Sequence, residues 1–333
     1  MSTERADFHV HYDPRDKDSA FEVVDKLLEN DVKAVALLAR SEISNDVPQI
    51  VEYGESRGID VIPGIEYFSR VDGVGMDLIL LGFDPGHESI IQAFGPESRL
   101  EQNKELAHFQ MRFLQSKGFV FNGINGNDKI TFEELLGGKI TQKAITFCRL
   151  VEAQECNRGR VDQLISENRE EWETALAKYP YLDPDKNNPE SRVKFIWYLY
   201  FAEGKEGFVP VQLKPDKVID TIHTAGGVVL YSPEGDFERS TWERLKDKKI
   251  DGIMAWHGDR LGLDRGGVDV PMEVILEAHR SGLLVLGGSD YQGKDFQPGN
   301  GNGNMYISLR RFRELVDYIS LRNDGNLPWV KQK

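Results

Sequence analysis

Cysteine is scarce in this sequence, because the 333 residues include only Cys148 and Cys156. Two cysteines eight residues apart provide neither a disulfide framework nor a Cys-x-x-Cys metal pair, and we interpret them as buried free thiols. No apolar run approaches the ~20 residues of a membrane-spanning helix. The opening residues, MSTERADF, also lack the apolar segment of an export signal. These absences predict a cytoplasmic protein without a membrane anchor.

Basic residues are also fewer than acidic ones: the sequence has 41 Lys and Arg and 55 Asp and Glu, for a net charge of −14. A field of this sign repels polyanions, so we expect no tightly held nucleic acid. A small anionic substrate stays compatible with the sequence, because local cations or a metal ion can reverse the potential inside a cleft. The sequence does not indicate the oligomeric state.

The sequence does contain a regular alternation of strand-like and helix-like segments. Apolar runs between amphipathic segments predict a parallel sheet that helices cover on both faces. The segment 96–205 is typical of helices, and it interrupts the alternation between residues 1–95 and 206–333. Five to seven β/α units, interrupted once, predict an α/β barrel split by an inserted helical subdomain. The predicted strands are 8–12, 34–38, 60–68, 77–83, 228–232, 251–257 and 283–290.

The first predicted strand carries two of the seven histidines, His9 and His11. Side chains at positions i and i+2 of a strand point to the same face, so these two imidazoles converge. Two imidazoles directed at one point gain little unless a metal ion lies between them. A pair of interior histidines that are satisfied by hydrogen bonds is the alternative.

Further polar residues stand where other predicted strands end: Glu66, Ser232, His257 and Asp290. In a parallel barrel these ends meet on the face that carries the active site. Two histidines with two carboxylates form a donor set that suits Zn²⁺, Mn²⁺ or Fe²⁺. Each carboxylate taken alone is also compatible with a buried salt bridge.

Four segments resemble the PHP (polymerase and histidinol phosphatase) phosphoesterase superfamily in order and separation: DFHVHYDPRD, VIPGIEYF, IHTAGGVVLYSP and LLVLGGSDYQG. The chain is most similar to the branch with a helical insertion, which includes phosphatases of nucleotides and small oligonucleotides. The resemblance covers residues 6–95 and about 206–295, and the insertion only loosely. It implies a distorted TIM-like (β/α)7 barrel and up to three divalent metal ions.

The resemblance also implies which residues hold the metal ions. One ion would be bound by His9, His11, Glu66 and Asp290, and Asp16 matches a ligand of a second ion. Several of the family's other ligand positions are replaced. This chain has Ala39-Arg40 where the family has Asp-His, Ser232-Pro233 for His-Pro, and Tyr291-Gln292 for Phe-His, and it lacks the family's Arg-Pro-His near residues 141–145. One site is therefore complete, and one or two are degraded.

The replaced positions suggest roles in holding an anion. We expect Arg40 to pair with Asp16 in place of a lost cation, or to bind a phosphate or carboxylate with two hydrogen bonds; an ordinary surface ion pair is the alternative. His257 is a candidate acid for the leaving group or a neutral residue that caps a strand. Arg260 would bind the anion, and Ser232 and Gln292 would donate hydrogen bonds in the pocket.

These residues predict a metal-dependent hydrolase, a phosphoesterase that uses a metal-activated water on a small phosphorylated substrate. The expected cofactor is Mn, Zn or Fe, in one to three ions, with one site best supported. Two alternatives remain open: a single-metal hydrolase of an ester, lactone or amide, and a PHP-like binding protein without activity.

Overall fold

The computed structural model describes residues 5–12, 17–71, 74–121, 144–202, 204–208, 213–233, 237–257, 270–289 and 307–330. The chain divides into two compact units. The first unit comprises Met1–Arg99 together with Gln212–Lys333, and the second comprises Leu100–Val211.

The first unit is built on one curled sheet. Its strands are β1 Arg5–His11, β2 Val32–Arg40, β3 Asp60–Val71, β4 Val74–Leu81, β5 Val228–Pro233, β6 Gly252–His257, β7 Leu284–Gly288 and β8 Ile307–Ser308. Their order is β7-β6-β5-β4-β3-β2-β1-β8. The sheet curls until the residue after β7 reaches β1, where the backbone amide of Ser289 donates to Asp7 Oδ1 at 2.9 Å. Seven strands thus form a nearly closed barrel, which confirms the predicted fold class.

Helices surround this barrel and bury their apolar faces against it. They are α1 Lys17–Glu29, α2 Val47–Arg57, α3 Glu88–Phe94, and, beyond the five helices of the next segment, α9 Pro215–Thr224, α10 Arg239–Asp247, α11 Met272–Arg280 and α12 Leu309–Arg322. The run AVALLA in β2 is entirely buried, as expected for a strand covered on both sides. Each such Val or Leu side chain stabilises the fold by roughly 1.5–3 kcal/mol. No helix in the described ranges has the length and apolarity of a membrane span.

The strand β4 departs from the predicted parallel pattern. It pairs antiparallel with both β3 and β5. Its sequence, VGMDLILL, has the apolar character of a buried strand, which does not report direction. The length of the connection between β3 and β4 does report direction. Two residues separate Val71 from Val74, whereas a connection between parallel strands needs roughly a dozen residues or more.

The second unit is helical in its described residues. It holds most of α4 Pro96–Ser116, then α5 Ala144–Ala153, α6 Arg158–Glu167, α7 Arg169–Lys178 and α8 Pro189–Phe201. The prediction of two buried thiols is right for Cys148 and wrong for Cys156, which is exposed. Helix α5 ends at Ala153, and Cys156 lies in a separate short turn of 3₁₀ helix, so the two cysteines do not share one helix face.

A buried carboxylate fixes the end of the barrel at which β6 begins. Asp251 is 2% exposed. Its oxygens accept hydrogen bonds from the backbone amide of Val229 at 2.8 Å and from Tyr318 Oη at 3.1 Å, and they contact His223 Nε2 at 2.7 Å. Arg322 also donates to this carboxylate. Because it precedes β6, Asp251 lies at the opposite end of that strand from His257.

Candidate metal centre

His9 and His11 lie near the carboxyl end of β1, and both are buried. Their Nε2 atoms are 3.0 Å apart. Between Asp7 and Val10 the strand advances three positions while β2 advances two, from Val35 to Leu37. This is the pattern of a β-bulge, which re-aims neighbouring side chains. The two histidines therefore lie in or next to a distorted part of β1, and not in a regular strand.

Glu66 of β3 completes a cluster with the two histidines. Its Oε1 lies 3.3 Å from His9 Nε2, and its Oε2 lies 3.6 Å from His11 Nε2. One ligand atom from each residue can be chosen so that all lie within 4.8 Å of one another. Ligand atoms bound ~2.05 Å from a tetrahedral ion are ~3.3 Å apart, and those bound ~2.1 Å from an octahedral ion are ~3.0 Å apart. The distance between the two histidine nitrogens, and the distance from each of them to one Glu66 oxygen, are close to these values, so the three residues are arranged to share a single divalent ion.

The carboxylate of Glu66 is in the charged form that a metal ion requires. Burial by itself raises the pKa of Glu66, but the hydrogen bond with His9 and the charges of His9, His11 and Arg40 outweigh burial and lower the pKa to about 2. Glu66 is consequently ionised at neutral pH. Metal binding does not have to displace a proton from this residue.

Arg40 lies at the end of β2, directly opposite Glu66 in the strand register. Its Nε is 3.5 Å from Glu66 Oε2, and its side chain is 58% exposed. Asp16, the partner that the sequence predicts for Arg40, lies outside the described residues, so that pairing stays a prediction. A guanidinium has five N–H donors, so Arg40 can contact Glu66 and still offer donors to an anion beside the cluster.

Asp7 and Gly288 hold the two sides of the barrel seam together beside the histidines. Asp7 Oδ1 accepts hydrogen bonds from the backbone amides of His9 at 3.1 Å and Ser289 at 2.9 Å. A Cβ atom on Gly288 would lie 2.3 Å from the His9 nitrogen and 2.4 Å from the His9 Cβ. We did not predict either residue. The available signals were the Asp-x-His-x-His alternation, which places Asp7 on the face of the histidines, and the position of Gly288 immediately before Ser289-Asp290.

Two further polar residues, Ser232 and Asp77, lie on the same face of the sheet as Glu66, and Asp77 was not predicted. Phe68 is two residues beyond Glu66 in β3, so its side chain lies on the same face. Asp77 of β4 is opposite Phe68, and Ser232 of β5 is opposite Asp77. Ser232 is 1% exposed. The sequence signal for Asp77 was an acid that interrupts an apolar run.

The side chains of the other five predicted site residues lie outside the described part of the chain. The backbone of His257 ends β6 and lies opposite Gly288 in register, but its side chain lies outside the described residues. The described residues likewise do not include Asp16, Arg260, Asp290 and Gln292. The structure therefore brings together His9, His11, Glu66 and Arg40, and it leaves the other assignments as predictions.

The fold has counterparts among solved structures. No protein-family model and no curated protein sequence matches the chain. A candidate metal-dependent phosphoesterase from Bifidobacterium adolescentis is 18% identical, with a TM-score of 0.52 over 98% of this chain and 97% of that one. An amidohydrolase from Chromobacterium violaceum, with bound sulfate and no metal, is 17% identical, with a TM-score of 0.51 over 96% of each chain. At this identity the likeness shows a shared fold.

Proposed function

We propose that the protein is a metal-dependent hydrolase, and more narrowly a phosphoesterase that acts on a small phosphorylated substrate. The observation that carries this proposal is the convergence of His9, His11 and Glu66 on one point near the carboxyl ends of β1 and β2. Active sites of such barrels lie at this end. The descriptions of the two structural neighbours, a candidate metal-dependent phosphoesterase and an amidohydrolase, support the same broad class.

His9, His11 and Glu66 would hold a Mn, Zn or Fe ion through two nitrogens and a carboxylate, and we propose Asp290, the residue after Ser289, as the fourth ligand. Such an ion supplies Lewis acidity, which lowers the pKa of water and polarises the bond under attack. Asp16 remains our proposed ligand for a second ion.

The exposed guanidinium of Arg40 supports an anionic substrate. It lies beside the metal ligands of a chain whose net charge is −14, so a local cation is needed to attract an anion. Arg40 would bind a phosphate oxygen and orient the ester for attack. In this proposal His257 donates a proton to the leaving group, Arg260 contacts the anion, and Ser232 and Gln292 donate hydrogen bonds.

A pair of aryl substrates tests the proposed reaction. We expect protein supplied with Mn²⁺ or Zn²⁺ to hydrolyse p-nitrophenyl phosphate and to leave p-nitrophenyl acetate largely intact, because Arg40 favours a dianionic group. The released nitrophenol is measured by absorbance. The His9→Ala variant, purified in the same way, controls for contaminating phosphatases. Turnover of the acetate alone would instead identify a hydrolase of a non-phosphate bond, and turnover of neither would favour a binding protein.

Loss of Arg40 should weaken anion binding without emptying the metal site. We expect Arg40→Ala to raise the inhibition constant of inorganic phosphate about 10–100-fold, the value of a charge-assisted hydrogen bond, with unchanged metal content. The assay is run near pH 8, where Glu66 is ionised with or without the arginine. Arg57→Ala is the matched control, because Arg57 is 50% exposed and pairs with Asp25 at 3.1 Å. Equal inhibition of Arg40→Ala and wild type would exclude this role.

A further inference from the structure

We propose that Asp7 is a positioning residue of the metal centre, and that it acts by fixing the end of β7 against the strand that carries the histidines. The inference rests on the proposed function, since it assigns Asp7 to the site formed by His9, His11 and Glu66. Asp7 does not contact the ion in this proposal. It acts through the backbone on either side of it.

The contacts of Asp7 join two distant parts of the chain. Its carboxyl group is buried, with the residue 2% exposed. One oxygen, Oδ1, accepts from the amide of His9 and from the amide of Ser289, which is 282 positions away. The first hydrogen bond fixes the backbone of a metal ligand. The second fixes the residue immediately before Asp290.

The sheet itself does not supply this link. In the strand order, β7 pairs with β6 and β1 pairs with β2 and β8, so in the described strands β7 and β1 are not hydrogen-bonded neighbours. A backbone ladder therefore does not set their offset along the barrel axis. Among the described residues, the hydrogen bond from the Ser289 amide to Asp7 Oδ1 joins the two strands instead, and the one from the His9 amide holds the same carboxylate in place within β1.

The packing at Gly288 shows how close this approach is. The backbone of Gly288 lies so near His9 that even a methyl group would overlap the His9 nitrogen and Cβ. Glycine permits two backbones to meet at such a distance. Oδ1 of Asp7 would be the third nearest atom to that methyl group, at 2.8 Å, so the carboxylate and the close approach belong to one arrangement.

The role of Asp7 depends on its oxygen as an acceptor and not on its charge, which sets the test. Asp7→Asn can keep a carbonyl oxygen at the same place, whereas Asp7→Ala removes the acceptor from both amides. Partners that orient metal ligands typically change metal affinity by about 10–100-fold when lost. We therefore expect Asp7→Ala to bind a divalent ion at least about tenfold more weakly and Asp7→Asn to bind it about as tightly as wild type.

The experiment is a Co²⁺ titration of metal-free wild type, Asp7→Asn and Asp7→Ala, followed by the visible absorption of the bound ion. The spectrum reports ligand geometry, which a general loss of stability does not alter. We expect an unchanged spectrum for Asp7→Asn and an altered, weaker one for Asp7→Ala. If Asp7→Ala does not fold, Asp7→Glu replaces it, because it keeps the charge and moves the acceptor. The same loss of affinity is expected.

Asp251→Asn is the matched control, because Asp251 is an equally buried carboxylate that also accepts a backbone amide, from Val229. It should lower thermal stability and leave the cobalt spectrum unchanged. Hydrogen exchange of metal-free protein adds a second readout: peptides covering 5–11 and 284–289 should exchange faster in Asp7→Ala than in Asp7→Asn.

The outcomes separate the two proposals. If wild type binds cobalt and Asp7→Ala binds it with the same affinity and spectrum, only the role of Asp7 is overturned. The role is also overturned if Asp7→Asn loses as much cobalt affinity as Asp7→Ala. Wild-type protein that binds no cobalt would overturn the proposed function, and this inference with it.

Discussion

Replacement of Glu66 by glutamine should lower turnover by more than about 100-fold, since the loss of a partner that merely orients a metal ligand already costs about 10–100-fold in metal affinity or activity. The carboxylate is ionised in the folded protein, with a pKa lowered to about 2. The glutamine amide has nearly the same shape but no charge. It would leave His9 and His11 to hold the ion with one weak neutral donor. Turnover of a chromogenic phosphate ester and metal content per chain measure the effect together.

The control for this substitution lies on the same strand. Asp60 is an exposed acid at the start of β3, six positions before Glu66, and Asp60→Asn should match wild type in both turnover and metal content. If Glu66→Gln kept both at the wild-type level, the three-residue cluster would not be the metal centre. If it kept the metal and lost turnover, Glu66 would serve as a base and not as a ligand.

Metal removal is the second change with a large expected effect. Protein purified without added metal or chelator should contain about one equivalent of Zn, Mn or Fe. Dialysis against a chelator should abolish turnover, and one equivalent of the native ion should restore it. The ion binds the folded state, so an excess of about 100 times its dissociation constant should add about 2.7 kcal/mol to the free energy of unfolding. Elemental analysis, activity and thermal unfolding check these three results.

Other metal contents would change the picture in defined ways. Two or three equivalents would mean that residues such as Asp16 and His257 rebuild the sites that the replaced histidines no longer form. Full turnover in chelated protein would exclude the metal-dependent reaction. No uptake after soaking with Mn²⁺ would favour a binding protein.

Local sequence patterns were enough to predict the barrel, because each strand and helix has its own periodicity. Each predicted strand is present, with its described bounds shifted by a few residues. The direction of β4 was not predicted correctly, because an apolar strand buried on both faces has the same pattern in either direction. Only the short connection after Val71 carried that information.

The site was predictable to the extent that its residues follow strand geometry. His9 and His11 share a face by their spacing, and Glu66 ends a recognisable motif, so their convergence was predicted. The contact of Arg40 with Glu66 was not, because opposition in register depends on how β2 and β3 slide past each other. Asp7 and Gly288 were missed for a related reason: their contacts join segments that lie far apart in the sequence.

The hydrogen bond from Ser289 to Asp7 spans 282 positions, and it ties the metal centre to the order in which the protein is made. His9, His11 and Glu66 leave the ribosome early, but their seam partner β7 follows more than two hundred residues later. Contacts between such distant segments form late, because closing so long a loop costs conformational entropy before the contact can offset it. A nascent or truncated chain that ends before Leu284 thus carries three metal donors without the strand that closes the barrel beside them. If these residues hold an ion as proposed, the site is complete only once β7 has been made.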